Sequence, residues 1–261
     1  MIKWIVILCL LISSFNSFSQ ILNIEKYRID RDTFHVWAGN IGIGFSSKKQ
    51  QNTVATLNAS SNVVYLSRNN SYLNVGNVKF IGVEGSKLIS EGYLHFRAIL
   101  NRKKFLSYEP FVQWQYDLGR GLEKRELYGF AFRVNIIRSK KFFIAANTGA
   151  MYEHEVWKGD VLRFPLQNEP TLAETQFVKS TSNISARGDL SENVYLLFVT
   201  YYQAAFETFF YPRIISELQL NFIINKYFTL NNQFSSNFDS LPILTKNRLV
   251  YSFNTSLMIN F

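Results

Sequence analysis

The sequence predicts an all-β protein, a single antiparallel transmembrane β-barrel of about 12 strands preceded by a cleaved signal peptide. Three observations carry that expectation. The chain begins with a short apolar leader, most of the remaining residues alternate between apolar and polar, and the last strand ends on an aromatic residue.

In the leader, Lys3 precedes an apolar run from Trp4 to Ile12, and small or polar residues come next at Ser13, Ser14, Ser17 and Ser19. Ser17 and Ser19 hold the −3 and −1 positions of a cut before Gln20, so residues 1–19 read as the signal peptide and residues 20–261 as the barrel domain. The apolar run falls well short of the ~20 residues that a spanning helix needs. Cys9 lies inside that run, whereas the acylated cysteine of a lipoprotein would sit at the cut. Cleavage removes this single cysteine and with it any disulfide or thiolate chemistry. No later stretch approaches ~18 consecutive apolar residues, which excludes a helical membrane protein.

The formal charge of +9 is spread along the chain in twos and threes. In an exported protein such a distribution argues against nucleic acid and toward outer-membrane lipids, with lipopolysaccharide as the counter-charge.

Turn signals divide the chain into segments near Phe34–Phe45, Thr53–Leu66, Tyr72–Val83, Ile89–Leu100, Leu106–Asp117 and Glu126–Ile137. Six more lie near Phe142–Trp157, Phe177–Arg187, Val194–Ala205, Ile214–Ile224, Tyr227–Phe238 and Asn247–Phe261. Alternation is plain where Tyr128, Phe130, Phe132 and Val134 oppose Gly129, Ala131, Arg133 and Asn135, and where Leu218, Leu220 and Phe222 oppose Glu217, Gln219 and Asn221. Period-two patterning of this kind suits a wall with lipid outside and a polar lumen inside. The third, eighth and ninth segments alternate poorly. An even count allows a closed barrel with both termini at the periplasmic end. The turns there are short: Ser67 to Asn70, Asn101 to Lys104, Arg138 to Lys141, Gly188 to Asn193, and Asn225 with Lys226. The opposite end receives the longer connections, of which Lys158 to Thr175 is the longest.

In the last segment Leu249, Tyr251, Phe253, Leu257, Ile259 and Phe261 share one parity, and Ser252, Asn254, Ser256 and Asn260 hold the other.

From Asn52 to Ile137 the chain resembles the salt-induced outer-membrane protein family, also called domain of unknown function 481. The likeness rests on Asn52-Thr53, on Glu91 through Arg97, and on Tyr116-Asp117 with Gly119-Arg120-Gly121 leading into Tyr128-Gly129-Phe130. It covers roughly a third of the chain. The resemblance implies an outer-membrane barrel and supplies no catalytic residues. Likeness to outer-membrane barrels in general implies that Tyr251, Leu257, Ile259 and Phe261 form an assembly signal read by the barrel-assembly machinery.

Candidate chemistry is sparse. His35, His95 and His154 fall on separate strands without metal-ligand spacing, and Gly119 with Gly121 forms a turn with no P-loop lysine. His154 has the outward parity near the outer rim, where pairing across the next loop could bring Ser180 or Ser182 alongside it as in a lipid hydrolase. Folding one hairpin about Arg102 and Lys103, and the next about Gly121, sets Arg97 across from Glu109 and Glu109 across from Arg133. These three form the expected lumen charge row, either a salt-bridged core or a constriction. The sequence thus points to an outer-membrane barrel of a Gram-negative bacterium, structural or a narrow pore for small polar solutes, without cofactor or metal and not an enzyme. The alternatives are a lipid-modifying hydrolase at the rim and a soluble periplasmic barrel that binds an apolar ligand.

Overall fold

The computed structural model describes residues 35–49, 53–83, 86–139, 141–158, 172–225, 227–242 and 248–259. The signal-peptide residues, most of the Lys158–Thr175 connection, Asn260 and Phe261 lie outside them. Twelve strands form one sheet in sequence order. They are β1 (Val36–Lys49), β2 (Thr53–Leu66), β3 (Ser71–Val83), β4 (Ser86–Ile99), β5 (Leu106–Asp117) and β6 (Leu122–Arg138), then β7 (Phe142–Lys158), β8 (Leu172–Ser191), β9 (Val194–Ala205), β10 (Arg213–Ile223), β11 (Phe228–Asp239) and β12 (Leu249–Ile259). Each predicted segment overlaps one of them. The remaining regular structure among the described residues is two single 3-10 turns, Leu118–Arg120 and Phe206–Thr208.

Strand β8 differs most from its expected span, extending over 20 residues where the turn signals suggested Phe177–Arg187. The reason is chemical. Its inward positions Lys179, Thr181, Asn183 and Ser185 are polar, and so are Ser180 and Ser182 on the other face, so no alternation marks the strand.

All pairings among the described residues are antiparallel and join consecutive strands. No β1–β12 pairing is among them, so the expected ring closure is not made by these residues. Both end strands are exposed along nearly their whole length. The sheet is nonetheless rolled, because side chains meet across non-neighbouring strands. Glu155 on β7 lies 3.5 Å from Arg213 on β10, and Arg133 on β6 donates to Ser185 Oγ on β8 at 3.4 Å.

Two glycines are required by the backbone. Gly121 has φ 82° and closes the β5–β6 turn, its carbonyl accepting from the Lys158 amide at 2.7 Å. A Cβ at Gly121 would stand 2.1 Å from the Lys158 carbonyl oxygen. Gly39, with φ 147°, lets β1 press against β2, and a Cβ there would meet Asn62 O at 1.9 Å.

The two faces of the sheet are inverted relative to a water-soluble domain. Outward positions carry exposed Ile41, Ile43, Phe45, Phe96, Trp114, Tyr128, Phe130, Phe132, Phe234 and Phe253. Inward positions bury Arg125, Arg133, Glu109, Glu153 and Glu155, each at most 2% exposed. Apolar residues also fill part of the interior, where Val64, Leu66, Leu73 and Val75 pack with Tyr93, and Phe111 packs with Leu127 and Met151.

Candidate lumenal site

The interior is organised from alternate residues of the long strands, since the two-residue period sends every second side chain inward. Toward the outer end, five strands contribute to one charge network or border it. Arg125 on β6 reaches Glu153 Oε2 with Nη2 at 2.5 Å and Glu155 Oε1 with Nε at 3.1 Å. Lys179 on β8 binds the other oxygen of Glu153, and Arg213 on β10 bridges Glu155 to Asp239 of β11 at 3.5 and 3.0 Å. Three cations, Arg125, Lys179 and Arg213, thus face three anions, Glu153, Glu155 and Asp239. Balanced pairing offsets the desolvation that each of these buried charges carries. Sequence reasoning missed this network. The shared inward parity of Arg125, Glu153 and Glu155 was the signal that could have found it, but the register that joins them is not written in parity.

Deeper in the lumen, Arg97 Nη1 donates to Glu109 Oε2 at 2.8 Å. The pair is not directly opposed as expected. Arg97 lies across from Phe111, Glu109 from Ala131, and Arg133 from Ser107, so the three residues descend as a diagonal, two residues per strand. The cause lies in the turns. The β4–β5 connection takes an extra residue with Asn101 at φ 60°, and the β5–β6 connection adds a 3-10 turn with a register shift at Gln115/Asp117. Strand tilt makes such a diagonal roughly level in a barrel. Arg133 also contacts Asn135 and Asn147, at 3.2 and 3.4 Å, and its guanidinium lies 5.4 Å from the Phe143 ring centroid.

Between the outer network and this diagonal lies a small polar cavity with room for about two water molecules, ≈ 30 Å³. Six consecutive strands, β4 to β9, line it, from His95 and Arg97 to Tyr201 and Gln203. The facing side of the lumen is of another kind. Mid-strand inward positions of β1, β2 and β12 include Asn40, Gly42, Gly44, Asn58, Ser60, Ser252, Asn254 and Ser256, small or uncharged and largely exposed, while Lys48 ends this face of β1 and buried Val64 and Leu66 end that of β2. One side of the interior is therefore packed with paired charge, and the other is an open lane of amides, hydroxyls and glycines.

On the outer rim, His154 pairs in register with Gln176, while Ser180 faces Ala150 and Ser182 faces Thr148. Four residues separate Ser180 from the partner of His154 (180 − 176), about 13 Å along the strand. The expected His–Ser juxtaposition is thus not formed. Instead two carboxylates flank the imidazole, with Glu126 at 3.2 Å from Nδ1 and Glu174 at 2.8 Å from Nε2. Neither was singled out from sequence, because they sit on different strands at the same outward parity. Among the described residues no group of histidine, cysteine and carboxylate side chains could hold a metal ion. His35 bonds to the Tyr65 hydroxyl, and His95 to Gln113.

Of the terminal-strand residues, Tyr251 and Leu257 project outward and are more than half exposed. Ile259 continues the strand, and Phe261 lies outside the described residues.

No family model matches this chain, and no curated protein matches it. Among solved structures, the NanC porin in a rhombohedral crystal form is similar over 86% of this chain and 100% of that one, with 8% identity and a TM-score of 0.46.

Proposed function

We propose that this chain is an outer-membrane β-barrel of a Gram-negative envelope, serving as a narrow pore for small polar solutes with its β4–β10 side filled by paired charge. The observation that carries this reading is the inversion of the two faces, apolar side chains exposed outside and charged side chains buried inside. A soluble barrel needs polar groups at mid-strand on its outer face, and a wall in lipid excludes charge there. Strand β6 gives the dimension. Its outward residues run uncharged from Tyr128 to Ile136, bracketed by outward Glu126 and by the strand's last residue, Arg138, which a bulge between Asn135 and Ile137 turns to the inward side. Those brackets are 12 steps apart (138 − 126), about 40 Å along the strand and about 30 Å along the normal at the usual tilt. That height accommodates an apolar band of about 25 Å with a margin for headgroups.

The lane along the middle of β12, β1 and β2, uncharged up to Lys48 at the end of β1, favours a conducting lumen over a wholly plugged one, because amide and hydroxyl groups replace a solute's hydration without the barrier of unpaired charge. The likeness to the salt-induced outer-membrane protein family belongs to the same proposal, as do contact with lipopolysaccharide and handling by the barrel-assembly machinery. The reading invokes no cofactor and no catalysis.

Membrane fractionation with planar-bilayer conductance tests it. Recovery in the outer-membrane fraction, a heat-dependent shift in gel mobility and small steady currents from the refolded protein are expected. A soluble periplasmic species, or a membrane-embedded species that never conducts, would overturn the pore.

A further inference from the structure

The cavity between the two charge groups collects polar atoms that the protein does not satisfy. His95 Nε2, Arg97 Nε, Asn147 Nδ2, Asn183 Oδ1 and Gln203 Oε1 are buried with no hydrogen-bond partner in the protein, and all five residues line this one cavity. Each side chain belongs to a residue at least nine-tenths buried. Leaving a buried donor or acceptor unpaired is costly, so a cluster of five is not what packing alone selects. The other five such atoms among the described residues, on Asn62, Ser107, Arg125, Asn221 and Asn237, belong to residues that do not line this cavity.

The chemistry of a complement can be read from these atoms. His95 Nδ1 contacts Gln113 Oε1 at 3.0 Å, and the Gln113 amide nitrogen donates to Gln115, which fixes the amide orientation. Nδ1 is then the donor, and in the neutral ring Nε2 is an acceptor. The cavity therefore offers acceptors at His95, Asn183 and Gln203 and donors at Arg97 and Asn147. Its one guanidinium is already paired with Glu109 at 2.8 Å, and no carboxylate lines it. An anion would have to compete with Glu109, and a cation would find no counter-charge. Hydroxyl groups fit both demands, because each donates once and accepts as well. The Phe111 and Tyr201 side chains supply an apolar surface for a carbon chain. A volume of ≈ 30 Å³ takes about two adjacent hydroxyls at a time and is too small for a whole sugar ring.

We propose that this cavity is a lumenal binding site for a short uncharged polyol, which lodges its hydroxyls among His95, Arg97, Asn147, Asn183 and Gln203 as it crosses the barrel. The assignment rests on the pore reading and narrows it from small polar solutes to one class. Binding inside a narrow pore makes transport saturable, since a solute that lodges must leave before the next one enters.

The test uses the full-length protein in proteoliposomes with glycerol as the probe. Influx of radiolabelled glycerol should level off with concentration, and excess unlabelled ethylene glycol should slow it in the unaltered protein. Asn183→Leu and Gln203→Leu, checked for folding by the heat-dependent gel shift, should each raise the half-saturating concentration about tenfold, the order expected for one lost hydrogen bond to a buried partner. Glycerol influx that stays linear, ignores ethylene glycol and is unchanged by both variants would leave a pore and remove the site. Passage of water with exclusion of glycerol would show that the cavity serves ordered water only and would overturn the proposal. Vesicles tight to every solute would refute the pore itself, and the binding site with it. The competition measurement needs no variant, so misfolding of either substitution leaves the question decidable.

Discussion

Replacing Arg125 with methionine should cost more than any other single change in the lumen. The residue is fully buried and holds two carboxylates, Glu153 at 2.5 Å and Glu155 at 3.1 Å, within a group whose three cations and three anions balance. Methionine keeps much of the aliphatic stem and deletes the charge, leaving the group at a net −1 with Lys179 and Arg213 as the remaining counter-charges. Each opposite-charge contact near 4 Å is worth about 4 kcal/mol at an effective dielectric of about 20, before desolvation is subtracted. Breaking a buried pair from one side typically costs about 3–5 kcal/mol, and lumen water moves the expectation toward the lower bound. Urea unfolding of protein refolded into lipid vesicles, followed by the gel shift, measures the loss. Glu153→Gln and the double variant complete a thermodynamic cycle, and the coupling between positions 125 and 153 should exceed about 1 kcal/mol. A loss below about 0.5 kcal/mol together with zero coupling would show that the two side chains do not meet in lipid. This side of the lumen would then be wet rather than filled.

Three further outcomes are expected from the geometry. Glu109→Ala leaves Arg97 buried without its carboxylate and should destabilise the barrel by about 2–4 kcal/mol or raise its conductance; unchanged melting with unchanged conductance would refute the pairing. Gly39→Ala forces a Cβ to within 1.9 Å of Asn62 O at a φ that L-residues avoid, so the yield of assembled protein should fall sharply while unassembled chain accumulates; an undiminished yield would show that β1 does not press on β2 at this point. Deletion of Phe261 should lower the amount recovered in the outer membrane, whereas Asn260→Ser should be nearly silent; equal losses from both would mean that the parity read along the last strand is wrong.

How much of this was legible in the sequence depends on which residues carried an alternating signal. Strands such as β6 and β10 declared themselves because outward-facing Phe130, Phe132, Leu218 and Leu220 contrast with their neighbours. β8 hid its length because both of its faces are polar over Lys179 to Asn183. Parity marked the inward direction of Arg97, Glu109, Arg133, Arg125 and Glu153 alike. Register was the missing quantity, since it is set in the turns, where one αL residue at Asn101 and one 3-10 turn at Leu118–Arg120 displace whole strands by two residues. For the same reason the carboxylates flanking His154 could not be found: Glu126, His154 and Glu174 are separated by 28 and 20 positions in the chain.

The strictly consecutive pairing also governs how such a molecule can be built. Every ladder among the described residues joins strands that are neighbours in the chain, so each can form as a hairpin whose closure costs little entropy, and the product of any step is a larger curved sheet. Growth of this kind can proceed from either end without waiting for distant segments to find each other. It leaves two free edges until the final event, and those edges are β1 and β12, whose described residues begin more than 200 positions apart (249 − 36 = 213). In lipid a bare edge is an unsatisfied row of amides and carbonyls, and in water it is a template for pairing with a second molecule. On the outer-membrane reading, assembly would therefore have one seam to shield, and release of the finished protein would be tied to the moment that seam is sealed.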